Sequence, residues 1–146
     1  MSLADDVADR ISDAANRFVR GFGLHQWQHL PHGRPISMAM ACVLAELRRD
    51  GSLRQSEVER RLRLGRANAS RIMAVLVERD WVKRAQARDD RRGIVITLTI
   101  SGRTVADELA RARRVRMAVL LEGIPRERQA AVVDALLTIA DAVDAG

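Results

Sequence analysis

The sequence predicts a mainly α-helical chain carrying one small β-hairpin, and three observations predict it. Apolar residues recur at spacings of three and four over most of its length, the period of a half-buried helix. One β-branched run, Ile94 to Ile100 (Ile-Val-Ile-Thr-Leu-Thr-Ile), breaks that period and reads as a strand. Turn residues, among them Asp50-Gly51, Leu64-Gly65 and the glycines and prolines between 21 and 35, cut the chain into pieces of helical length.

The elements follow in order. Leu3 to Phe22 is an amphipathic helix, with Val7, Ile11, Ala14, Phe18 and Phe22 on one face and Asp and Arg between them. Gly21, Gly23, Pro31, Gly33 and Pro35 mark its end and a linker. Ile36 to Arg49 is a second helix, with Ser37 as candidate N-cap and Gly51 as the left-handed stop. Gln55 to Leu62 is a short helix and Leu64-Gly65 a turn. Arg66 to Arg79 is the next helix, with Ala69, Ile72, Met73 and Leu76 on one side. Trp81 to Gln86 pairs as a strand with the β-branched run across a charged tip, Ala87 to Gly93. Ser101 to about Leu121 is a long helix, with Val105, Leu109, Ala112 and Val119 among its apolar positions. Pro125 opens a final helix lined by Val132, Leu136, Ile139 and Val143.

Bulk properties narrow the function classes. Apolar residues make up 47% of the 146, enough for a core, but aromatics are only 3%, so aliphatic residues and Met must fill it. The formal net charge is +6, and every basic residue except Lys83 is Arg. Between Arg60 and Arg92 lie eleven basic and four acidic residues, an excess of seven, so the remainder carries a net −1. A positive footprint confined to one segment is expected of a face that meets a polyanion such as nucleic acid. Cys42 is the single cysteine, which rules out an internal disulfide and a Cys-rich zinc module and fits a reducing cytoplasm. Met1 to Arg10 holds three Asp and no apolar core, so it does not read as a signal peptide. Ile36 to Leu47 is too short to span a bilayer. The expected location is cytoplasmic, with no membrane partner and no cofactor.

Two short helices, a tight turn and a basic-tipped hairpin describe a winged helix-turn-helix. The second helix of such a pair must fit the major groove, so its outward face must be small or polar. Projected at about 100° per residue, Ala67, Ser70, Arg71 and Ala74 point away from the apolar side of Arg66 to Arg79, with Arg66 and Asn68 on the flanks. Asn suits adenine and Arg suits guanine, and the helix amino end favours phosphate. The tip reads Arg88-Asp89-Asp90-Arg91-Arg92-Gly93. An Arg on a narrow hairpin can enter the minor groove, and an Asp two residues away is placed to hold it extended by an ion pair.

At these residues the sequence resembles the MarR family of transcriptional regulators. Gln55 to Leu62 and Arg66 to Ile72 are similar to that family's third and fourth helices, and Leu76 to Val82 to its helix exit into the wing. Asp90-Arg91-Arg92 followed by Val95 to Thr99 and Gly102 resembles its wing signature. The resemblance covers residues 36 to 103 by motif and the whole chain by element order. It implies a homodimeric, sequence-specific regulator, a repressor that occludes a near-palindromic promoter site on double-stranded DNA and is released by a small-molecule effector. It assigns 1–35 and 101–146 to dimerisation and 36–100 to DNA binding. The expected DNA-contacting residues are Arg66, Ala67, Asn68, Ser70, Arg71, Arg88, Asp90, Arg91 and Arg92, with Arg92 in the minor groove and Asp90 its orienting partner. The terminal helices carry apolar faces beyond the needs of one small core, and pairing would bury them.

Three departures stand out. Gly65 and Arg54 occupy positions where the family favours capping Ser or Thr, and Asp80 stands where Gly usually ends the recognition helix. They motivate one alternative, a winged-helix protein-interaction module without DNA binding. His25, His29 and His32 motivate another, a zinc-responsive regulator. Cys42, in a run of apolar residues, reads as a buried small hydrophobe rather than a redox sensor. Trp27, Leu30, Met38 and Met40 read first as hinge packing, and a ligand pocket would lie near them; no ligand residue is assigned. No glycine-rich phosphate loop, nucleophile elbow or paired-carboxylate site stands out, so catalysis is not expected.

Overall fold

A computed structural model describes residues 3–22 and 34–146 of the chain. The elements run α1 (Leu3–Phe22), α2 (Met38–Asp50), β1 (Ser52–Arg54), α3 (Gln55–Arg61), α4 (Arg66–Glu78), β2 (Val82–Gln86), β3 (Ile94–Leu98), α5 (Ile100–Glu122) and α6 (Arg126–Ala145). The chain divides into two compact units, 1–106 and 107–146. His25, His29, His32, Trp27 and Leu30 lie outside the described residues.

In the first unit the sheet has three antiparallel strands in the order β1-β3-β2, one more than the predicted hairpin. The added strand pairs Ser52 with Thr97, Leu53 with Ile96 and Arg54 with Val95. Its three residues are too few to show alternation, and it forms because β3 offers it a free edge. The wing itself pairs Val82 with Leu98 through Gln86 with Ile94.

The core is aliphatic, as composition requires. Val43, Leu44 and Leu47 of α2, Val58 of α3, Ala69, Met73 and Leu76 of α4 and Ile96 of β3 are all fully buried. Helix α2 packs on β3 and α4, and α3 packs on α4. Each Leu or Ile side chain so buried contributes roughly 1.5–3 kcal/mol, which is what holds the short α3 and α4 in place against their weak intrinsic helicity.

Helix ends set the geometry. The Ser37 hydroxyl accepts from the Met40 N–H at 3.2 Å and starts α2. Gly51, at φ 83°, stops it, its N–H reaching Leu47 O at 2.8 Å. Helix α3 ends on Arg63 at φ 49°, with Leu64 N–H bonded to Glu59 O. The left-handed residue of that turn is Arg63, while Gly65 is extended and precedes α4 with no side-chain cap. Helix α4 ends the same way. Asp80 sits at φ 58°, Asp80 N–H bonds to Val77 O, and Trp81 N–H bonds to Leu76 O, both at 2.9 Å. That is a complete Schellman motif, closed by buried Leu76 and Trp81, so Asp80 occupies the left-handed position where glycine is usual.

The passage from wing to α5 is tightly built. Thr99 Oγ1 donates to Asp80 O and accepts from Gly102 N–H at 2.9 Å. A Cβ on Gly102 would collide with the Trp81 carbonyl, so only glycine fits there. This capping Thr starts α5 at Ile100, one residue before the predicted Ser101.

The second unit holds the rest of α5 and α6. Gln129 Nε2 donates to Leu121 O and Ile124 O across the turn between them. Pro125 stands at the N-cap of α6. Val115, Val119, Leu120, Val133, Leu136, Leu137, Ile139 and Val143 are exposed on these helices, and Leu3, Val7, Ile11, Phe18 and Val19 are exposed on α1. No helix among the described residues is long and apolar enough to cross a membrane.

Candidate nucleic-acid interface

Helix α4 presents the face the sequence predicts. Ala69, Ile72, Met73 and Leu76 are buried, while Arg66, Ala67, Asn68, Ser70, Arg71 and Ala74 are exposed. The face is therefore small in the middle and cationic at its edges, a shape that can approach the floor of a major groove. Ser70 is the least free of the set. Gln55, a buried polar residue, donates from Nε2 toward Ser70 Oγ in a long contact of 3.5 Å and to Glu59 at 3.2 Å. Its Oε1 accepts from Arg84 on β2 at 2.8 Å. One amide thus ties α3 to both α4 and the wing, satisfying its own polar atoms as burial requires.

The wing tip carries Arg88, Arg91 and Arg92, all exposed. Ala87 N–H bonds to Gly93 O at 2.8 Å and Gly93 N–H to Asp90 O at 3.0 Å, which closes the loop. Asp90 does touch Arg92, but through the backbone: its Oδ1 accepts from the Arg92 N–H at 2.9 Å. Among the described residues no ion pair joins the two side chains. The reason is a residue that reads in the sequence only as a poor helix cap. Arg54 ends β1 opposite Val95, and its guanidinium reaches Asp89 at 2.5 Å and Asp90 at 3.7 Å. Both tip carboxylates therefore face Arg54. Cross-strand register is the signal that finds it, and that register depends on the unexpected strand.

The arginines of α3 behave differently. Arg61 spans three carboxylates: Glu57 at 2.7 Å, Glu46 at 2.9 Å and Asp50. Arg60 pairs with Glu57 at 2.8 Å, and Arg49 with Glu46 at 2.6 Å. Hydrogen bonds from Arg60 and Arg61 hold the Glu57 carboxyl down to about 2, and those from Arg49 and Arg61 lower Asp50 below the usual carboxylate range. The partner carboxylates lie at 46, 50 and 57, outside the segment whose charge excess the sequence shows. That excess overstates the available positive face. By contrast Arg66, Arg71, Lys83, Arg88, Arg91 and Arg92 form no ion pair with another described residue. The cationic surface comes from α4 and the wing.

Other candidate groups are placed more plainly. Cys42 is half-buried within α2. Arg79, at the end of α4, donates to Pro35 O at 2.8 Å and stacks over the Trp81 ring at 5.0 Å, fixing the helix exit. No group of three or more His, Cys, Asp or Glu among the described residues is arranged to hold a metal.

Helix α3, the turn at Arg63, helix α4 and the β2–β3 wing together define a winged helix-turn-helix protein. Within that class the segment 36–93 matches the model of the MarR family. The chain is similar over 102 residues to the HTH-type transcriptional regulator PapX of Escherichia coli, at 26% identity. That match covers 70% of this chain and 56% of the relative, so the chain spans little more than half the relative's length. In fold it resembles FabT of Streptococcus pneumoniae, solved in complex with DNA, with a TM-score of 0.78 at 14% identity over 97% of both chains. It also resembles BpsR of Bordetella bronchiseptica, whose DNA binding is regulated by 6-hydroxynicotinic acid, with a TM-score of 0.71 at 21% identity over 92% of this chain and 98% of that one.

Proposed function

We propose that this chain is a cytoplasmic, sequence-specific DNA-binding transcriptional regulator that acts as a homodimer. The observation that carries the reading is the division of its arginines: those of α4 and the wing tip stand exposed and without ionic partners among the described residues, on the two elements a winged helix presents to DNA. Arg66, Ala67, Asn68, Ser70 and Arg71 read the major groove, with Asn68 and Arg71 as the base-pairing side chains. Arg88, Arg91 and Arg92 reach phosphate and minor groove, and Asp90 shapes the loop that carries them. Residues 36–100 form the DNA-binding part. The apolar faces exposed on α1, α5 and α6 support pairing through residues 1–35 and 101–146. A two-fold dimer then meets a near-palindromic site, occludes the promoter and represses.

Release by a small-molecule effector is part of the same proposal, supported by the fold shared with the ligand-regulated BpsR. Selection of bound fragments from random duplex DNA tests the whole reading. Enrichment of sites with two half-sites in inverted orientation is expected. Recovery of an unenriched pool, or no salt-sensitive retention of duplex at all, favours a protein-interaction module instead.

A further inference from the structure

We propose that Arg54 is a positioning residue for DNA binding: a clamp that ties the wing tip to β1 and neutralises both tip carboxylates. Two observations carry it. The guanidinium reaches from β1 to Asp89 at 2.5 Å and Asp90 at 3.7 Å, thirty-five residues further along the chain for the shorter contact. The space it crosses is shaped for it, since a Cβ on Gly93 would overlap the Arg54 guanidinium. Gly93 therefore does more than ease the return into β3; it leaves the passage for Arg54.

The consequence is electrostatic and mechanical together. The tip holds three arginines and two aspartates within five residues. Asp89 and Asp90 left unclamped would pair with those arginines or stand against phosphate, and either outcome weakens the cationic tip. Arg54 engages both carboxylates, which leaves Arg88, Arg91 and Arg92 without ionic partners among the described residues. It also joins the tip to a strand pinned by β3, so the loop is held at a second point beyond its own hairpin.

The consequence for DNA rests on the regulator reading, whereas the clamp itself does not, and the test separates them. Full-length protein, Arg54→Ala, the double change Asp89→Asn with Asp90→Asn, and the triple variant are exposed to dilute trypsin. Nicking after Arg88, Arg91 and Arg92 is followed by mass spectrometry. Exposed ion pairs are modest, so loss of the clamp raises tip nicking by about 3- to 5-fold in Arg54→Ala and in the double variant. The triple variant goes no further, because the same contact is already lost.

The same four proteins are titrated with mixed-sequence duplex DNA. Arg54→Ala weakens binding by about 3- to 5-fold per wing. Neutralising the two aspartates strengthens binding more when Arg54→Ala is already present than when Arg54 is intact. Unchanged tip nicking in Arg54→Ala overturns the clamp. Increased nicking together with strictly additive effects on DNA affinity overturns the positioning role. Failure of the unaltered protein to bind duplex overturns the regulator reading, and with it the DNA consequence, while the nicking result still decides the clamp.

Discussion

Arg60 and Arg61 on α3 lie only a few residues before Arg66 and Arg71 on α4, yet the two groups serve different ends. The first pair is engaged by carboxylates of the protein itself: Arg61 binds Glu46, Asp50 and Glu57 and ties the end of α2 to α3, and the exposed Arg60 pairs with Glu57 of its own helix. The second group, with the wing arginines, has no carboxylate partner among the described residues. A run of like charge in a sequence is thus two populations in a fold. What separates them is which helix face each occupies and what stands opposite, not the residue type.

The largest expected effect tests the frame that holds both groups. Gly102→Ala forces a Cβ into the Trp81 carbonyl, where backbone cannot yield as a side-chain tip does. A loss of roughly 3 kcal/mol or more in unfolding free energy is expected, read by urea denaturation, and both arginine groups are disrupted together.

Arg71→Ala sharpens the comparison from the exposed side. Discrimination between the selected site and mixed DNA falls by ~1–3 kcal/mol, measured by fluorescence anisotropy, while stability stays within about 0.5 kcal/mol. Arg92→Ala lowers affinity for all sequences alike and leaves most of the preference intact.

Arg61→Ala does the reverse. It leaves three carboxylates gathered with no central cation, so the melting temperature falls by a few degrees while site preference is kept. Acid titration probes the same cluster. Glu57 is depressed from an ordinary value of 4.5 to about 2. Its contribution to stability is therefore complete above pH 4.5 and is lost as the pH falls toward 2. A thermal-melt series over that window shows a steeper acid decline in the unaltered protein than in Glu57→Gln.

The smallest expected effect is a gain. Asp80 holds a left-handed backbone at the end of α4, where glycine suffers no Cβ penalty. Asp80→Gly stabilises by roughly 0.5–1 kcal/mol, seen as a rise in denaturant midpoint.

Periodicity and caps make most of this fold legible. The buried side of α4, the Ser37 cap, the Gly51 stop and the β-branched strand all follow from local chemistry, although the strand stops at Leu98 and Ile100, the end of the β-branched run, already belongs to α5. What escapes is non-local. Strand β1 exists only because β3 lies beside it. The left-handed turns at Arg63 and Asp80 carry side chains that do not announce them. The ion pairs of Arg61 with Glu46 and Asp50 span 15 and 11 residues, and that of Arg54 with Asp89 spans 35. Charge counted within a window cannot see partners outside it.

The salt dependence of DNA affinity in two single variants tests the division of arginines most directly. Log affinity is measured against log salt concentration for Arg91→Ala and Arg60→Ala. The Arg91 change should flatten the slope by about 1, the loss of one phosphate contact, while the Arg60 change should leave it unaltered. Equal slopes for the two variants, or a flattening caused by Arg60 alone, would contradict the account.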